Sequence, residues 1–183
     1  YLQWGSTDYT HQLASAENIP DTGKATVVGR NSGEVITIKD NFVEVYAGEG
    51  DDIISAGSAS SWFFGYGGND IIDAGAGDDD IYGGEGNDIL NGEAGDDQIY
   101  GGDGDDTYIF EYLGDDTIND SMGVNTLRIS GDVWEKTFRE GDDFITEGTT
   151  GTITYKDAFL TDGLTYLQWG STDYTHQLAS AEN

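Results

Sequence analysis

A nine-residue period constrains this chain more than any other feature. Read in nines from Ala47, the sequence runs AGEGDDIIS, AGSASSWFF, GYGGNDIID, AGAGDDDIY, GGEGNDILN, GEAGDDQIY and GGDGDDTYI. Position four is Gly50, Gly68, Gly77, Gly86, Gly95 and Gly104, failing only at Ala59. Position six is Asp52, Asp70, Asp79, Asp88, Asp97 and Asp106, failing only at Ser61. Position eight is Ile54, Phe63, Ile72, Ile81, Leu90, Ile99 and Tyr108, apolar in every unit. With one extra residue, Gly114-Asp115-Asp116-Thr117-Ile118 supplies a further partial unit. A glycine-rich linker does not keep an apolar residue at every ninth place. Each unit therefore predicts a six-residue turn followed by a three-residue strand with one inward side chain. The glycines permit positive φ and close stacking of one turn on the next.

The charge is segregated to the same stretch. The 183 residues carry 36 acidic and 7 basic side chains, a formal charge of −29. No lysine or arginine falls between Asp40 and Leu127. Such a chain repels phosphates, which argues against nucleic acid and anionic membrane surfaces as partners. Self-repulsion alone would favour disorder, yet 11 tyrosines, 7 phenylalanines and 4 tryptophans are too many for a solvated tail. Something must neutralise the charge before the chain folds. There is no cysteine for a disulfide or thiolate site. No run approaches the roughly 18 apolar residues of a membrane span. Without an initiating Met or a signal-peptide pattern at Tyr1, the chain reads as a segment of something larger.

Charge and repeat together divide the chain into an N-terminal flank (1–46), the repeat block (47–120) and a C-terminal flank (121–183). Residues 1–18, YLQWGSTDYTHQLASAEN, recur unchanged at 166–183. This reads as one period of a tandem array, with an engineered duplication as the rival. The copied segment predicts a short strand at Tyr1–Trp4, then a helix over Thr10–Glu17 stopped by Asn18 and Pro20, and so a terminal helix in the second copy. Ile36-Thr37-Ile38-Lys39-Asp40-Asn41-Phe42 resembles Ile153-Thr154-Tyr155-Lys156-Asp157-Ala158-Phe159, so each flank carries a similar strand element. Alternating runs at Thr126–Ile129, Ile153–Tyr155 and Leu164–Trp169 predict an antiparallel cap on the repeat block.

Calcium is the cation that this composition asks for. It takes hard oxygen ligands and accepts backbone carbonyls beside carboxylates, which glycine turns expose. Zinc would want nitrogen or sulfur, and only His11 and His176, copies of each other, are available. Magnesium prefers partly hydrated octahedral sites. If two units make one coil, units n and n+2 stack on the same edge. The first edge then offers sites bounded by Asp52/Asp70, Asp70/Asp88 and Asp88/Asp106. The second offers Asp79/Asp97 and Asp97/Asp116, while Ser60-Ser61 weakens a third. About five ions are expected, and their ten positive charges would take −29 to −19. Without them the block should be disordered, making folding and metal binding one event.

GGEGNDILN and GGDGDDTYI resemble the GGxGxDxUx nonapeptide of RTX (repeats-in-toxin, haemolysin-type) calcium-binding proteins, a resemblance covering about 47–118. The segments GDDTYIF, DDTIND, NTLRIS, REGDDFIT and GTITYKDAF resemble the capping segment that follows such blocks in adenylate cyclase toxins. The resemblance implies an all-β fold, a parallel β-roll (a calcium-binding nonapeptide solenoid) with mixed β and short-helix capping flanks. It implies calcium held by Asp52, Asp70, Asp79, Asp88, Asp97, Asp106 and Asp116. The carbonyl ligands it implies are those of Gly48, Gly50, Gly68, Gly75, Gly77, Gly84, Gly86, Gly95, Gly102 and Gly104. It also implies type I export and folding outside the cell or at its surface, in a large bacterial adhesin, toxin or hydrolase whose neighbouring domains are the natural partners.

Position nine points outward and reads Tyr46, Phe64, Tyr82 and Tyr100 along one sheet, with Trp62 beside Phe64. Such an aromatic ladder serves either as a platform for a glycan or protein ligand, or as a face covered by the flanks. The aspartate pairs are absorbed by the repeat and need no glycosidase reading. His11 and His176 lie near Ser and Asp, as in Ser6-Thr7-Asp8, where capping is the ordinary role. Arg128, Lys136, Arg139 and Lys156 are expected to pair with surface acids. No catalytic constellation is visible, and the expectation is a calcium-binding module rather than an enzyme.

Overall fold

The computed structural model describes residues 8–12, 24–39, 43–111, 114–120, 122–129, 134–140, 143–148, 151–156, 164–169 and 175–177. Ahead of the repeats lie β1 (Asp8–Gln12), β2 (Lys24–Val28) and β3 (Val35–Thr37). The repeats supply β4 (Val43–Glu49), β5 (Ile53–Ser55), β6 (Trp62–Gly67), β7 (Ile71–Asp73), β8 (Asp80–Glu85), β9 (Ile89–Asn91), β10 (Gln98–Asp103) and β11 (Thr107–Phe110). Beyond them come β12 (Asp115–Asn119), β13 (Asn125–Ile129), β14 (Trp134–Glu140), β15 (Asp143–Gly148), β16 (Thr152–Lys156), β17 (Leu164–Trp169) and β18 (Thr175–Gln177).

From β2 to β14 successive strands alternate between two sheets, so the chain winds as a parallel β-solenoid. One sheet runs β1-β2-β4-β6-β8-β10-β12-β16-β15-β14, the other β18-β17-β13-β11-β9-β7-β5-β3. Within the repeats each residue pairs with the one 18 positions on: Phe63 with Ile81, Ile81 with Ile99, Ile54 with Ile72 and Ile72 with Leu90. Two nonapeptides therefore make one coil. Past Phe110 the register becomes 19, as in Ile99 with Ile118 and Tyr108 with Leu127, which is the extra residue ahead of the partial unit.

Each strand turns one position-eight side chain inward, and the seven, from Ile54 to Tyr108, are fully buried. Val27, Ile36, Val45, Ile118, Leu127 and Tyr155 continue the same column beyond the repeats. The core is thus a stack barely one side chain wide per sheet. Position-seven residues face out instead: Val35, Ile53 and Ile71 remain exposed.

The flanks correct two expectations. The run predicted to be helical from Thr10 is strand as far as Gln12, with Thr10, His11 and Gln12 paired parallel to Thr26, Val27 and Val28. Residues 13–17 lie outside the described ones, as does the strand predicted at Tyr1–Trp4. In the second copy Thr175–Gln177 is strand too, but antiparallel to Tyr166–Gln168. No helix occurs among the described residues. The second correction concerns pairing sense. Strands form where the alternating runs lie, but β13 and β17 extend the parallel stack from β11, and β16 extends it from β12. Among the described residues antiparallel pairing is confined to β14–β15, β15–β16 and β17–β18. Alternation specifies a strand but says nothing about the direction of its neighbour. Ile36 and Ile153 are both buried inward, on opposite sheets.

A column this narrow has little capacity to relax around a cavity. In saturating calcium, Ile81→Ala should lower unfolding stability by about 2–5 kcal/mol. Ile71→Ala, on the outer face, should cost about 1 kcal/mol or less. Denaturant titrations of the two variants check this.

Candidate metal centre

The turns between strands are set by glycine. All ten glycines proposed above as carbonyl ligands have positive φ, from 93° at Gly75 to 136° at Gly104. At Gly84 a Cβ would collide with the carbonyl oxygen of Tyr66, and at Gly86 with that of Gly68, one coil earlier. Backbone packs directly on backbone along each edge, which only glycine allows.

The position-six aspartates form two buried ladders. On the first edge the backbone N–H of Asp52 donates to Oδ1 of Asp70, that of Asp70 to Asp88 and that of Asp88 to Asp106, each at 2.8 Å. On the second edge Asp79 N–H donates to Asp97 Oδ1 at 2.9 Å and Asp97 N–H to Asp116 Oδ1 at 3.0 Å. The structure thus brings together every aspartate pair that the repeat predicts. Where the acid is missing, Val43 N–H donates to Ser61 Oγ at 3.2 Å, so the serine keeps the ladder but brings no charge.

Only half of each carboxylate is satisfied. The Oδ2 atoms of Asp52, Asp70, Asp79, Asp88, Asp97 and Asp106 are buried with no hydrogen-bond partner. Burial pushes the carboxyls up from the ordinary carboxylate range: to about 6 at Asp52, Asp88 and Asp97, about 7 at Asp106 and Asp116, and about 8 at Asp79. Backbone N–H donors pull the other way, and at Asp52, Asp79, Asp88, Asp106 and Asp116 the next aspartate in the ladder adds repulsion. Buried anionic oxygens without donors are costly unless a cation meets them. Among the described residues no three or more His, Cys, Asp or Glu side chains converge on one point. A metal here must take carbonyl oxygens as well, and an all-oxygen set of that kind fits calcium.

A second ladder, at position five, was not anticipated. Asn69 N–H donates to Asp51 Oδ1 at 2.7 Å, Asn87 N–H to Asn69 Oδ1 and Asp105 N–H to Asn87 Oδ1 at 2.8 Å. The other edge repeats this, with Asp78 N–H on Ser60 Oγ at 2.9 Å, Asp96 N–H on Asp78 Oδ1 at 3.0 Å and Asp115 N–H on Asp96 Oδ1 at 2.9 Å. These side chains are exposed and accept from the following coil, whereas position six accepts from the preceding one. The signal was present: position five is Asp, Ser or Asn in all seven units.

The first buried ladder ends on an amide. Asp106 N–H donates to Asn125 Oδ1 at 2.7 Å. Asn125 Nδ2 donates to Asp120 Oδ2 at 2.7 Å and is 3.0 Å from the Tyr155 hydroxyl, while the Tyr108 hydroxyl also donates to Asp120 Oδ2. Tyr108 and Tyr155 meet edge to face with centroids 5.7 Å apart. This cluster joins the last repeat strand to β16. Nothing in the nonapeptide pattern announces it, since Asp120 and Asn125 lie beyond the period.

Tyr46, Phe64, Tyr82 and Tyr100 do stack, with centroids 5.0, 4.8 and 4.6 Å apart and planes within 8° of parallel. Both faces of Phe64 and Tyr82, and one face each of Tyr46 and Tyr100, are occupied by this stacking. His11 lies on β1 and His176 on β18, while Ser6 and Thr7 fall outside the described residues. Lys156 pairs with Asp143 at 2.9 Å.

A family profile described as the RTX calcium-binding nonapeptide repeat (four copies) matches residues 46–81 and 74–108. No curated protein matches the chain.

The raised carboxyls fix the sign of a pH effect. A group whose folded pKa lies above its unfolded value stabilises the fold at low pH, and that stability is lost as pH rises through the folded pKa. In calcium-free buffer, β structure should therefore be greater at pH 4–5 and fall away between about pH 6 and 8. Circular dichroism across that range checks it; a calcium-free signal that grows with pH would contradict the burial argument.

Proposed function

Over residues 46–108 the chain belongs to the RTX calcium-binding nonapeptide repeat family, and from that premise we propose that it is a calcium-dependent folding module of a large secreted bacterial protein. The observation that carries this reading is the row of six half-satisfied aspartates: a fold that buries them needs a divalent cation to be stable at neutral pH. Bound calcium supplies positive charge and accepts the oxygens left without donors. The chain's part is to present them. Asp52, Asp70, Asp79, Asp88, Asp97, Asp106 and Asp116 give the carboxylates. Turn carbonyls give the rest, from the positive-φ glycines at positions two and four.

The same reading treats 1–46 and 121–183 as caps on the roll at 47–120. In support, β2 pairs with β4 and β16 with β12, so the end coils of the repeat have partners. RTX proteins typically leave the cell by type I secretion, and a module that is unstable without calcium suits export unfolded and folding outside. An adhesin or a toxin is the parent that fits. The reading assigns this chain no catalytic step. Recognition of a glycan through the aromatic ladder gains no support, because stacking consumes the ring faces that a sugar would use.

Two neighbouring substitutions test the ligand assignment. Asp88→Ala removes a carboxylate shared by two proposed sites and should lower the bound calcium by about two ions, counted by calorimetry or native mass spectrometry. Asn87→Ala removes the exposed Oδ1 that accepts from Asp105 N–H, costing roughly 0.5–1.5 kcal/mol, and should leave the count unchanged. Equal counts in the two variants would remove position six from the metal sites.

A further inference from the structure

The stacked ladder crosses a second aromatic row at Phe64. Trp62, Phe64 and Tyr66 sit at alternate positions of β6 and therefore point out on the same face. The outer two differ from the ladder in being exposed, 43% at Trp62 and 49% at Tyr66. Tyr66 has ring contacts with Tyr46 and Phe64, both tilted and at 6.4 Å, so neither stacks on its face. Its neighbours across the sheet are Gly48 and Gly84, which put no side chain beside it.

Tyr66 also breaks the rule of its position. It has φ 80°, in the left-handed region, where other units place Gly48, Gly75, Gly84 and Gly102 and one places Glu93 at φ 72°. A tyrosine there strains the backbone, and half-exposed it regains little by burial.

The surroundings of both rings are anionic. Trp62 lies between Glu44 and Asp80 in register, and Tyr66 adjoins Gly67, which lies between Glu49 and Glu85. Glu49 reaches over the strand, since a Cβ at Gly67 would come within 2.8 Å of its Oε2. No lysine or arginine occurs between Asp40 and Leu127, and five calcium ions would still leave the chain at −19. Sugar hydroxyls need donors as well as acceptors, whereas these carboxylates only accept. Guanidinium and ammonium groups seek this combination of ring face and carboxylate.

We infer that the outer face around Trp62 and Tyr66 is a docking surface for a cationic polypeptide segment, gripped by cation–π contact and by Glu44, Asp80, Glu49 and Glu85. The inference rests on the calcium-loaded fold proposed above.

Hexa-arginine peptide, titrated into the calcium-loaded protein by calorimetry, is the probe, with hexaglutamate and maltohexaose as controls. Tyr66→Gly restores the residue usual at position two and Trp62→Gln copies Gln98, so both leave the net charge unchanged. Each should weaken hexa-arginine binding roughly threefold to tenfold, with an unchanged calcium-loaded circular dichroism spectrum. Unchanged affinity in both variants would overturn the proposal, since diffuse charge alone would then hold the peptide. Maltohexaose binding lost in the variants while hexa-arginine is unaffected would make the face a glycan site instead. If calcium induces no β signal in the unsubstituted protein, the calcium reading itself fails, and this surface with it.

Discussion

A buried carboxylate in six of the seven nonapeptides, with one oxygen bonded and the other left without a donor, governs the rest of the molecule. Oδ1 ties each turn to the backbone of the preceding coil, so the aspartate is a structural strut. Oδ2 makes the same residue a liability. A full charge in that setting costs more than one N–H bond returns. The hydrophobic column cannot absorb the difference, because β5 to β10 each give it a single large inward side chain. The fold therefore leans on neutralisation, by protons at low pH or by a divalent cation at neutral pH. Coupling of metal binding to folding follows from how little else holds the coils together.

The repeat block was legible because in a solenoid each position of the period maps onto one environment. Position eight is core in every unit, position six is buried acid in all but one, and positions two and four are glycine in most. Position five drew no assignment from the period alone. Its role as a hydrogen-bonded ladder became visible only when n and n+2 were stacked. The flanks were harder, for physical reasons. The Thr10–Glu17 stretch has the composition of a helix, but at Thr10–Gln12 the edge of β2 offers a strand partner and tertiary pairing overrides local preference. The same residues in the second copy pair antiparallel, so local sequence does not fix even the sense of the strand. Asn125 was invisible because its role depends on a register of 19 that begins after the repeats.

The edges are spent on charge and the interior on packing, so the outer sheet faces are where this scaffold has freedom to differ. Four ladder aromatics use that freedom to stack on one another. Trp62 and Tyr66 stay about half exposed, at and beside the one unit that lacks its aspartate. A local departure from the repeat pattern, retained at a cost in backbone strain, marks where the sequence answers to something other than folding.

The central claim is that calcium and structure arrive together. It is tested most directly by titrating calcium into metal-free protein at pH 8 while following far-UV circular dichroism, with magnesium in parallel. The account predicts a cooperative gain of β signal between about 10⁻⁴ and 10⁻³ M calcium and none with magnesium. A full β signal before any calcium is added would contradict it, because the half-satisfied aspartates would then be tolerated by the fold alone.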